Sequence, residues 1–378
     1  MTQVLRVGLV GLGYIGKIHA LAYQNIAYCF DQPPVRASLV ALLRSHPHST
    51  SEALRAAGFE LVTTDPDEFF ARKLDVVDIC TPNHLHRAAA EHALRAGIPV
   101  YCEKPLAGTL ADARAMAALA CSTGVYTQVA YAQRYTPAIR QMKALIDAGE
   151  IGEVFHFNAR IFHSAYLDVN RPMSWRLRRE TSGGGAFMDL GAHLVDLTRY
   201  LLGDVSAVRA LMRTLVCERC ATPGSPEKER VDVDDWTLAT LELKSGAVGV
   251  IEASRMAAGA LDPTTFEVYG SQGSLLYRSA EPDRVQFHSL KRKQTISGQD
   301  VLPVAGERPI KSIWPDGKYT LGQFVNHHLA SQYDLLLNLA QGGPALVDFR
   351  AAVEAQEIIA AAYISAARGG DRVLLPVA

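Results

Sequence analysis

Short apolar runs alternate with helical segments through the first 130 residues of this 378-residue chain. Runs of strand character lie at 7–10, 38–43, 75–80 and 125–131, and another lies within PVYCEKPLA at 99–107. Because each helix crosses back over the sheet before the next strand begins, this order is typical of a parallel sheet covered on both faces. We predict an α/β domain with a doubly wound parallel sheet over residues 1–130.

The pattern changes after residue 130. Residues 154–163 alternate with a period of two, and 236–255 and 265–278 are typical of β-hairpins with glycine-containing turns. An amphipathic helix follows near the end and stops at Gly369. We predict that residues 131–378 form an α+β domain with an open, mainly antiparallel sheet.

Composition excludes several classes of protein. Apolar residues make up 48% of the chain and charged residues 20%, and the formal net charge of −1 favours neither nucleic acid nor an anionic membrane as a partner. No apolar stretch is typical of a membrane span or a signal peptide. The six cysteines have no disulfide-like spacing. We therefore expect a cytoplasmic protein with no membrane or nucleic-acid partner.

A glycine-rich turn follows the first strand. GLGYIG at 11–16 places Gly11, Gly13 and Gly16 in the GxGxxG spacing between a strand and a helix, with Tyr14 and Ile15 between the glycines. Glycines permit a tight turn and a close approach to a pyrophosphate, and the helix N-terminus supplies N–H donors. A dinucleotide site of the Rossmann type is predicted here.

The second strand ends in LLRSHPHS, with Arg44 where an acid would bind the ribose hydroxyls of NAD. An arginine can pair with a 2′-phosphate or stack on adenine, and Ser45 could assist with a phosphate. An exposed surface arginine is the alternative. Both NAD(H) and NADP(H) therefore remain open as the cofactor.

Two further strands end in polar motifs. Ligands of doubly wound sheets bind along the carboxyl edge of the strands, so these residues are candidates for cofactor contact. They lie in TPNHLH and in CEKPLA: Thr81, Pro82, Asn83, His86, Glu103 and Lys104. Pro105 restricts the backbone after Lys104, and we expect this lysine to point at the cofactor crevice.

Several stretches together resemble the glucose–fructose oxidoreductase/inositol dehydrogenase (Gfo/Idh/MocA) family. They span nearly the whole chain in the family's order: GLGYIG, TPNHLH, CEKPLA, QRYTPAIRQMKALIDAGEIGEV, SWRLRRETSGGGAFMDLGAHLVDLTRYLLG and LVDFRAAVEAQEIIAAAYISAARGG. The resemblance implies a Rossmann domain, a substrate domain on an open sheet, and homodimers or homotetramers formed through the exposed sheet face. The family's lysine maps onto Lys104, and its helical aspartate and histidine map onto Asp189 and His193.

These three residues suit the oxidation of a secondary alcohol by NAD(P). Histidine as a residue type titrates near neutral pH, so His193 suits the role of general base. Asp189, about one helical turn away, would orient a substrate hydroxyl and stabilise the imidazolium. Lys104 would stabilise the developing alkoxide and relay the proton. The glycines at 183–185 would let the backbone approach cofactor and substrate.

Substrate contacts are expected from polar and aromatic residues of the segments that should face the cleft: Arg134, His163, Tyr166, Asp168, Trp175 and Arg176. Hydroxyl-directed groups beside one aromatic wall favour a sugar, an inositol or a related polyol as the substrate. The pairs His84/His86 and His327/His328 have no neighbouring carboxylate or cysteine partners, so no metal is predicted.

Two other functions stay open at this point. A regulatory protein on the same fold could bind dinucleotide without turnover, although it would have no need for Lys104, Asp189 and His193 together. A redox-neutral enzyme could use tightly held cofactor to cleave glycosides, oxidising and then re-reducing the ring. Rapid release of reduced cofactor would exclude that reaction.

Overall fold

The computed structural model describes residues 2–46, 51–260, 264–315 and 317–377. The chain divides into two compact units: Met1–Tyr135 with Gly306–Val353, and Thr136–Ala305 with Glu354–Ala378. Sequence patterns indicated a boundary near residue 130 and no return of the chain to the first unit. The return of Gly306–Val353 adds a long helix to that unit.

Six parallel strands form the sheet of the first unit, in the spatial order β3-β2-β1-β4-β5-β6. They are β1 Gln3–Val10, β2 Val35–Leu43, β3 Leu61–Thr63, β4 Val76–Ile79, β5 Val100–Cys102 and β6 Thr127–Val129. The chain leaves β1 in one direction and resumes at β4 in the other, which creates a crevice at the carboxyl ends of these strands. The predicted doubly wound sheet is confirmed.

The helices of the two units differ widely in length. They are α1 Tyr14–Cys29, α2 Ser51–Ala56, α3 Pro66–Phe70, α4 His86–Arg95, α5 Leu110–Thr123, α6 Pro137–Asp147, α7 Arg179–Ser182, α8 Ala192–Leu202, α9 Gln323–Gln341 and α10 Phe349–Ala367. A π-helix, Phe187–Gly191, directly precedes α8. In the first unit, α9 packs against α1. Within the described residues, no helix combines the length and apolar character needed to cross a membrane.

Nine strands form the sheet of the second unit, in the order β16-β15-β14-β13-β7-β12-β11-β8-β17. They are β7 Val154–Phe162, β8 Val205–Arg213, β11 Trp236–Leu243, β12 Val248–Ser254, β13 Thr264–Gly270, β14 Gly273–Arg278, β15 Arg284–Ser289, β16 Lys293–Ser297 and β17 Val373–Leu374, with β9 Glu218–Cys220 and β10 Lys228–Arg230 as a separate pair. Only β7 and β12 pair in parallel among the described strands of this sheet. The predicted open, mainly antiparallel sheet is confirmed.

One face of this second sheet is buried and the other is open. Side chains along β11 alternate between buried and half-buried positions, as expected for a sheet covered on one side. The open face carries His156, Leu211, Val248 and Tyr269. The last three are large apolar residues with 36–44% of their surface exposed. We refer to these four residues as the open face.

Candidate active site

The turn between β1 and α1 fits the pyrophosphate of a dinucleotide. Gly11 has a φ of +92°, which favours glycine, and a Cβ on Gly16 would lie 2.3 Å from the carbonyl oxygen of Gly11. A Cβ on Gly13 would meet no described atom within 4 Å. No described side chain caps α1. Two glycines are thus required by the chain itself, whereas the third leaves space beside the N–H donors of a helix N-terminus.

The glycine turn lies beside the carboxyl end of β2. The N–H of Gly11 donates to the carbonyl oxygen of Leu43 at 2.8 Å, so the turn is adjacent to the end of β2 and to Arg44. Arg44 is half-buried and Ser45 is exposed. Tyr14 is exposed and stacks on Phe324, with the ring centroids 5.9 Å apart. Ile15 is half-buried in the first turn of α1.

The loops after β4 and β5 are held together by His86. Its Nε2 lies 3.0 Å from the carbonyl oxygen of Thr81, and its Nδ1 lies 3.2 Å from those of Pro105 and Leu106. The His86 side chain is 0% exposed, so in this structure it braces the two loops from inside the unit. Its neighbours in these loops differ in exposure. Thr81, Pro82 and Lys104 are half-buried, and Asn83 is buried.

Glu103 lies in a buried polar cluster that sequence reasoning missed. Its Oε2 accepts the backbone N–H of Lys104 at 3.1 Å, and its Oε1 lies 3.1 Å from His19 Nε2. The two oxygens of Asp78 lie 2.9 and 3.0 Å from His19 Nδ1. A lone histidine in a helix has no sequence signal for such a role, because its partners come from distant strands.

Possible metal-binding atoms occur in the same cluster. Donor atoms of His19, Glu103 and His328 lie within 4.8 Å of one another, as do those of His19, Asp78 and Cys80. In the sequence, His328 adjoins only His327 as a possible metal ligand, and no metal was predicted. The fold instead brings His328 to a carboxylate and a second imidazole, which is the donor chemistry that a divalent transition metal uses.

The second unit carries Asp189 and His193 on consecutive helical segments. Asp189 lies within the π-helix, and His193 lies in the first turn of α8. Both are half-buried. The expected helix is present, but its N-terminal turn is widened into a π-helix, a distortion frequent at functional sites.

Two arginines neutralise Asp189. Arg255 Nη2 lies 3.1 Å from Asp189 Oδ2, and Arg176 Nε lies 3.8 Å from the same oxygen. The Arg255 side chain is 0% exposed and donates to the carbonyl oxygen of Arg176. Burial lowers the pKa of Arg255, but Asp189 outweighs it and the net pKa is raised. The guanidinium of Arg176 stacks 4.2 Å above the Trp175 ring. The predicted residues Trp175, Arg176 and Asp189 are therefore brought together.

Arg255 also contacts the predicted residue Tyr166. Tyr166 is buried, and its ring lies under the guanidiniums of Arg171 at 4.2 Å and Arg255 at 4.8 Å. His163 stacks against the same ring at 6.0 Å. Tyr166 thus joins His163 to the Asp189 cluster through packing.

The last two predicted substrate residues are Asp168 and Arg134. Asp168 is exposed, and its Oδ1 accepts the N–H of Asn170 at 2.9 Å, which stabilises a turn. Arg219 donates to the carbonyl oxygens of Asp168 at 2.7 Å and of Tyr166 at 2.6 Å, and so connects the two residues. Arg134 belongs to the first unit, is 7% exposed and donates to the carbonyl oxygen of Leu346.

Asp234 anchors the glycine segment that leads into the π-helix. Its carboxylate accepts the N–H groups of Gly185 and Phe187 at 2.8 Å each, together with the hydroxyls of Thr237 at 2.8 Å and Tyr363 at 2.6 Å. A Cβ on Gly185 would lie 1.9 Å from the Asp234 carbonyl oxygen. The expected close approach of this glycine is therefore to its own chain, a correction to the prediction that it serves cofactor and substrate.

The chain combines a Rossmann sheet that has an open glycine turn with a second unit in which helical segments beside an open mixed sheet carry a carboxylate and an imidazole. This combination is typical of a nicotinamide-dependent oxidoreductase. Two family models match the chain: "Oxidoreductase family, NAD-binding Rossmann fold" over residues 5–131 and "GFO/IDH/MocA C-terminal domain" over residues 139–276. The chain belongs to the Gfo/Idh/MocA family. The predicted family and its NAD-binding fold are thereby confirmed.

Curated relatives agree with this assignment. Levoglucosan dehydrogenase of Pseudarthrobacter phenanthrenivorans is 32% identical over 360 residues, with 90% of each chain covered. Inositol 2-dehydrogenase of Rhizobium meliloti is 30% identical, covering 75% of this chain and 79% of the relative. A structure of levoglucosan dehydrogenase in complex with NADH and levoglucosan superposes with a TM-score of 0.89 at 32% identity, covering 99% of this chain and 100% of the other.

Proposed function

We propose that this chain is a dehydrogenase that oxidises a secondary alcohol of a sugar, an anhydrosugar or a related polyol with NAD or NADP. The observation that carries the proposal is its full-length similarity to levoglucosan dehydrogenase, whose structure holds NADH and a sugar. The site geometry supports it, because the second unit holds an arginine-paired carboxylate and an imidazole on adjoining helical segments.

In this proposal the second unit handles the hydroxyl group. His193 accepts the hydroxyl proton on a ring nitrogen as the C–O bond gains double-bond character. Asp189 accepts a hydrogen bond from a substrate hydroxyl and stabilises the imidazolium that forms. Arg255, inaccessible to water, donates to Asp189 Oδ2 at 3.1 Å and fixes the orientation of that carboxylate. Trp175, with Arg176 stacked on it, supplies an apolar wall beside hydrogen-bond donors.

The first unit would hold the cofactor. The N–H groups at the Gly13 end of α1 receive the pyrophosphate, and Arg44 and Ser45 receive the adenosine ribose. The bound nicotinamide supplies the acceptor for the hydride that leaves the substrate carbon. Lys104 would place a cation that stabilises the developing alkoxide, and the hydroxyl proton itself goes to His193.

The choice between NAD and NADP depends on Arg44 in this proposal. Arg44 directly follows β2, whose last carbonyl oxygen accepts the N–H of Gly11. A guanidinium at that place can pair with a 2′-phosphate or stack on adenine, and it cannot accept hydrogen bonds from ribose hydroxyls. We expect NADP to be used at least as well as NAD.

We further propose that the protein is a cytoplasmic homo-oligomer that pairs through the open face. Three exposed large apolar residues on one face of a sheet indicate an interaction surface. A dimer about a two-fold axis would bury the same patch on both copies. The free cysteines, three of them buried, suit a reducing compartment.

The proposed function is tested by absorbance at the reduced-nicotinamide band. Purified protein is mixed with NAD or NADP and with levoglucosan, inositols, aldoses and alkyl glycosides in turn. We expect the band to grow with at least one compound, which names the substrate class and the cofactor together. No growth with any compound, while fluorescence titration still shows dinucleotide binding, would contradict the dehydrogenase proposal.

A further inference from the structure

A buried histidine lies at the centre of the polar cluster in the first unit. His19, in α1, is 0% exposed. Its Nδ1 faces both oxygens of Asp78 at the end of β4, and its Nε2 faces Glu103 Oε1 just after β5. His328 of α9 places its Nδ1 3.1 Å from the same Nε2. One imidazole therefore joins α1 to two strand ends and to α9.

Both ring nitrogens of His19 face carboxylate oxygens, and each also has a second polar neighbour. His328 Nδ1 lies 3.1 Å from Nε2, and Cys80 Sγ lies 3.2 Å from Nδ1. A carboxylate oxygen accepts a hydrogen bond from an imidazole N–H, so a donating Nε2 satisfies Glu103 Oε1. The ring is thus held on both sides, and it gives a buried carboxylate the partner that it needs.

The charged groups around His19 act on its pKa against the effect of burial. Burial lowers the pKa of His19, but Asp78 and Cys80 raise it, and the net pKa lies well above the ordinary 6.5. Burial raises the pKa of Glu103, but the hydrogen bond from His19 and the nearby positive charges outweigh burial. The net pKa of Glu103 therefore lies below its ordinary value. The titratable groups that face or adjoin His19 are Tyr23, Asp78, Cys80, Tyr101, Glu103 and His328.

The cluster is connected directly to Lys104. Glu103 Oε1 is engaged by His19, and Glu103 Oε2 accepts the Lys104 N–H at 3.1 Å. Both oxygens of this carboxylate therefore have a donor, so its orientation is fixed from two sides. A change at His19 would release one side and loosen the backbone from which the Lys104 side chain projects.

We infer that His19 is a positioning residue: its buried imidazole holds Glu103 and, through it, the backbone of Lys104. Its effect on turnover rests on the proposed function, in which Lys104 acts in hydride transfer. Its effect on the Lys104 backbone does not depend on any substrate.

A metal ion held by the same donor atoms is the alternative, and elemental analysis of the purified full chain tests it. We expect no stoichiometric metal. One equivalent of metal that is present in the wild type and lost in His19→Gln would overturn the inference, because His19 would then be a ligand.

The positioning role is tested by hydrogen exchange of the Lys104 amide. We expect exchange to be about tenfold faster in His19→Gln, the scale expected for loss of a charge-assisted hydrogen bond. The control is His288→Gln, which changes an exposed histidine of β15 and should leave exchange unchanged. If His19→Gln does not fold, His19→Asn gives the same comparison. Unchanged Lys104 exchange in a folded variant would overturn the inference.

Kinetics then separate the inference from the proposed function. His19→Gln should lower kcat about tenfold or more, because small misplacements of catalytic groups are costly, and should change dinucleotide affinity much less. Wild-type kcat in His19→Gln would refute the inference and leave the dehydrogenase proposal intact. If the wild type and every variant lack turnover while Lys104 amide exchange is faster in His19→Gln as expected, only the proposed function is refuted.

Discussion

Among single residues, Arg255 has the clearest dependence on a partner. Its buried guanidinium pairs with Asp189 at 3.1 Å and lies 4.8 Å from the centre of the Tyr166 ring. Arg255→Met should lower the free energy of unfolding by about 3 kcal/mol, because it leaves Asp189 without its buried counter-ion. Chemical denaturation measures this loss, and Arg36→Met, at an exposed arginine, is the control.

A double variant distinguishes the pair from simple loss of packing. Asp189→Asn combined with Arg255→Met should be less destabilised than the sum of the single variants, with a coupling of about 1 kcal/mol or more. Strictly additive losses would show that Arg255 stabilises the unit without acting on Asp189.

Arg44 carries a separate prediction on cofactor choice. Arg44→Asp should shift the ratio of kcat/KM values toward NAD by about tenfold or more, because a carboxylate accepts ribose hydroxyls and repels a 2′-phosphate. Steady-state kinetics with both cofactors measure the ratio. Arg36→Asp makes the same charge change elsewhere on the same unit, and an equal shift in both variants would count against a local role for Arg44.

At the scale of elements, the segment from α7 to α8 depends on Asp234. Asp234→Asn replaces one acceptor oxygen with an N–H₂ group opposite existing donors, and should lower the free energy of unfolding by about 2 kcal/mol. We also expect a lower kcat, since the π-helix carrying Asp189 begins at Phe187, with dinucleotide affinity nearly unchanged.

The control for this variant lies two residues away. Asp232 is exposed and accepts one N–H, from Arg179. Asp232→Asn should be close to wild type in stability and kcat. Equal losses in the two variants would remove Asp234 from its role as the anchor of this segment.

The elements themselves could largely be predicted from the sequence, whereas their cross-connections could not. Buried strands and the glycine turn have local signals, because period and turn chemistry are set by neighbouring residues. The π-helix has none, since it differs from an α-helix by one inserted residue. Arg255, Asp234 and His19 find their partners 66, 47 and 84 residues away, respectively, and a single sequence does not reveal such pairs.

For the whole molecule, sequence patterns described the two kinds of sheet but not which unit each helix joins. The return of Gly306–Val353 to the first unit places His328 beside His19. An amphipathic helix shows that it has an apolar face without showing which surface that face will cover. The polar cluster around His19 therefore became visible only in three dimensions.

The open face carries the prediction on assembly. Val248→Glu combined with Tyr269→Glu should convert the wild-type oligomer to a smaller species in light scattering, because charges would be buried across the interface. Leu290→Glu, at a residue that is 78% exposed near the turn between β15 and β16, is the control. An unchanged mass in the double variant would place the interface elsewhere.

Hydride transfer from a sugar carbon, with His193 as base, is most directly tested by following deuterium. The protein is incubated with oxidised cofactor and levoglucosan, or the active compound of the panel, deuterated at its carbinol carbons, and the reduced cofactor is analysed by mass spectrometry. We predict one deuterium per reduced nicotinamide, and a rate lowered by about 100-fold or more in His193→Ala. Reduced cofactor without deuterium, or a wild-type rate in His193→Ala, would contradict the account.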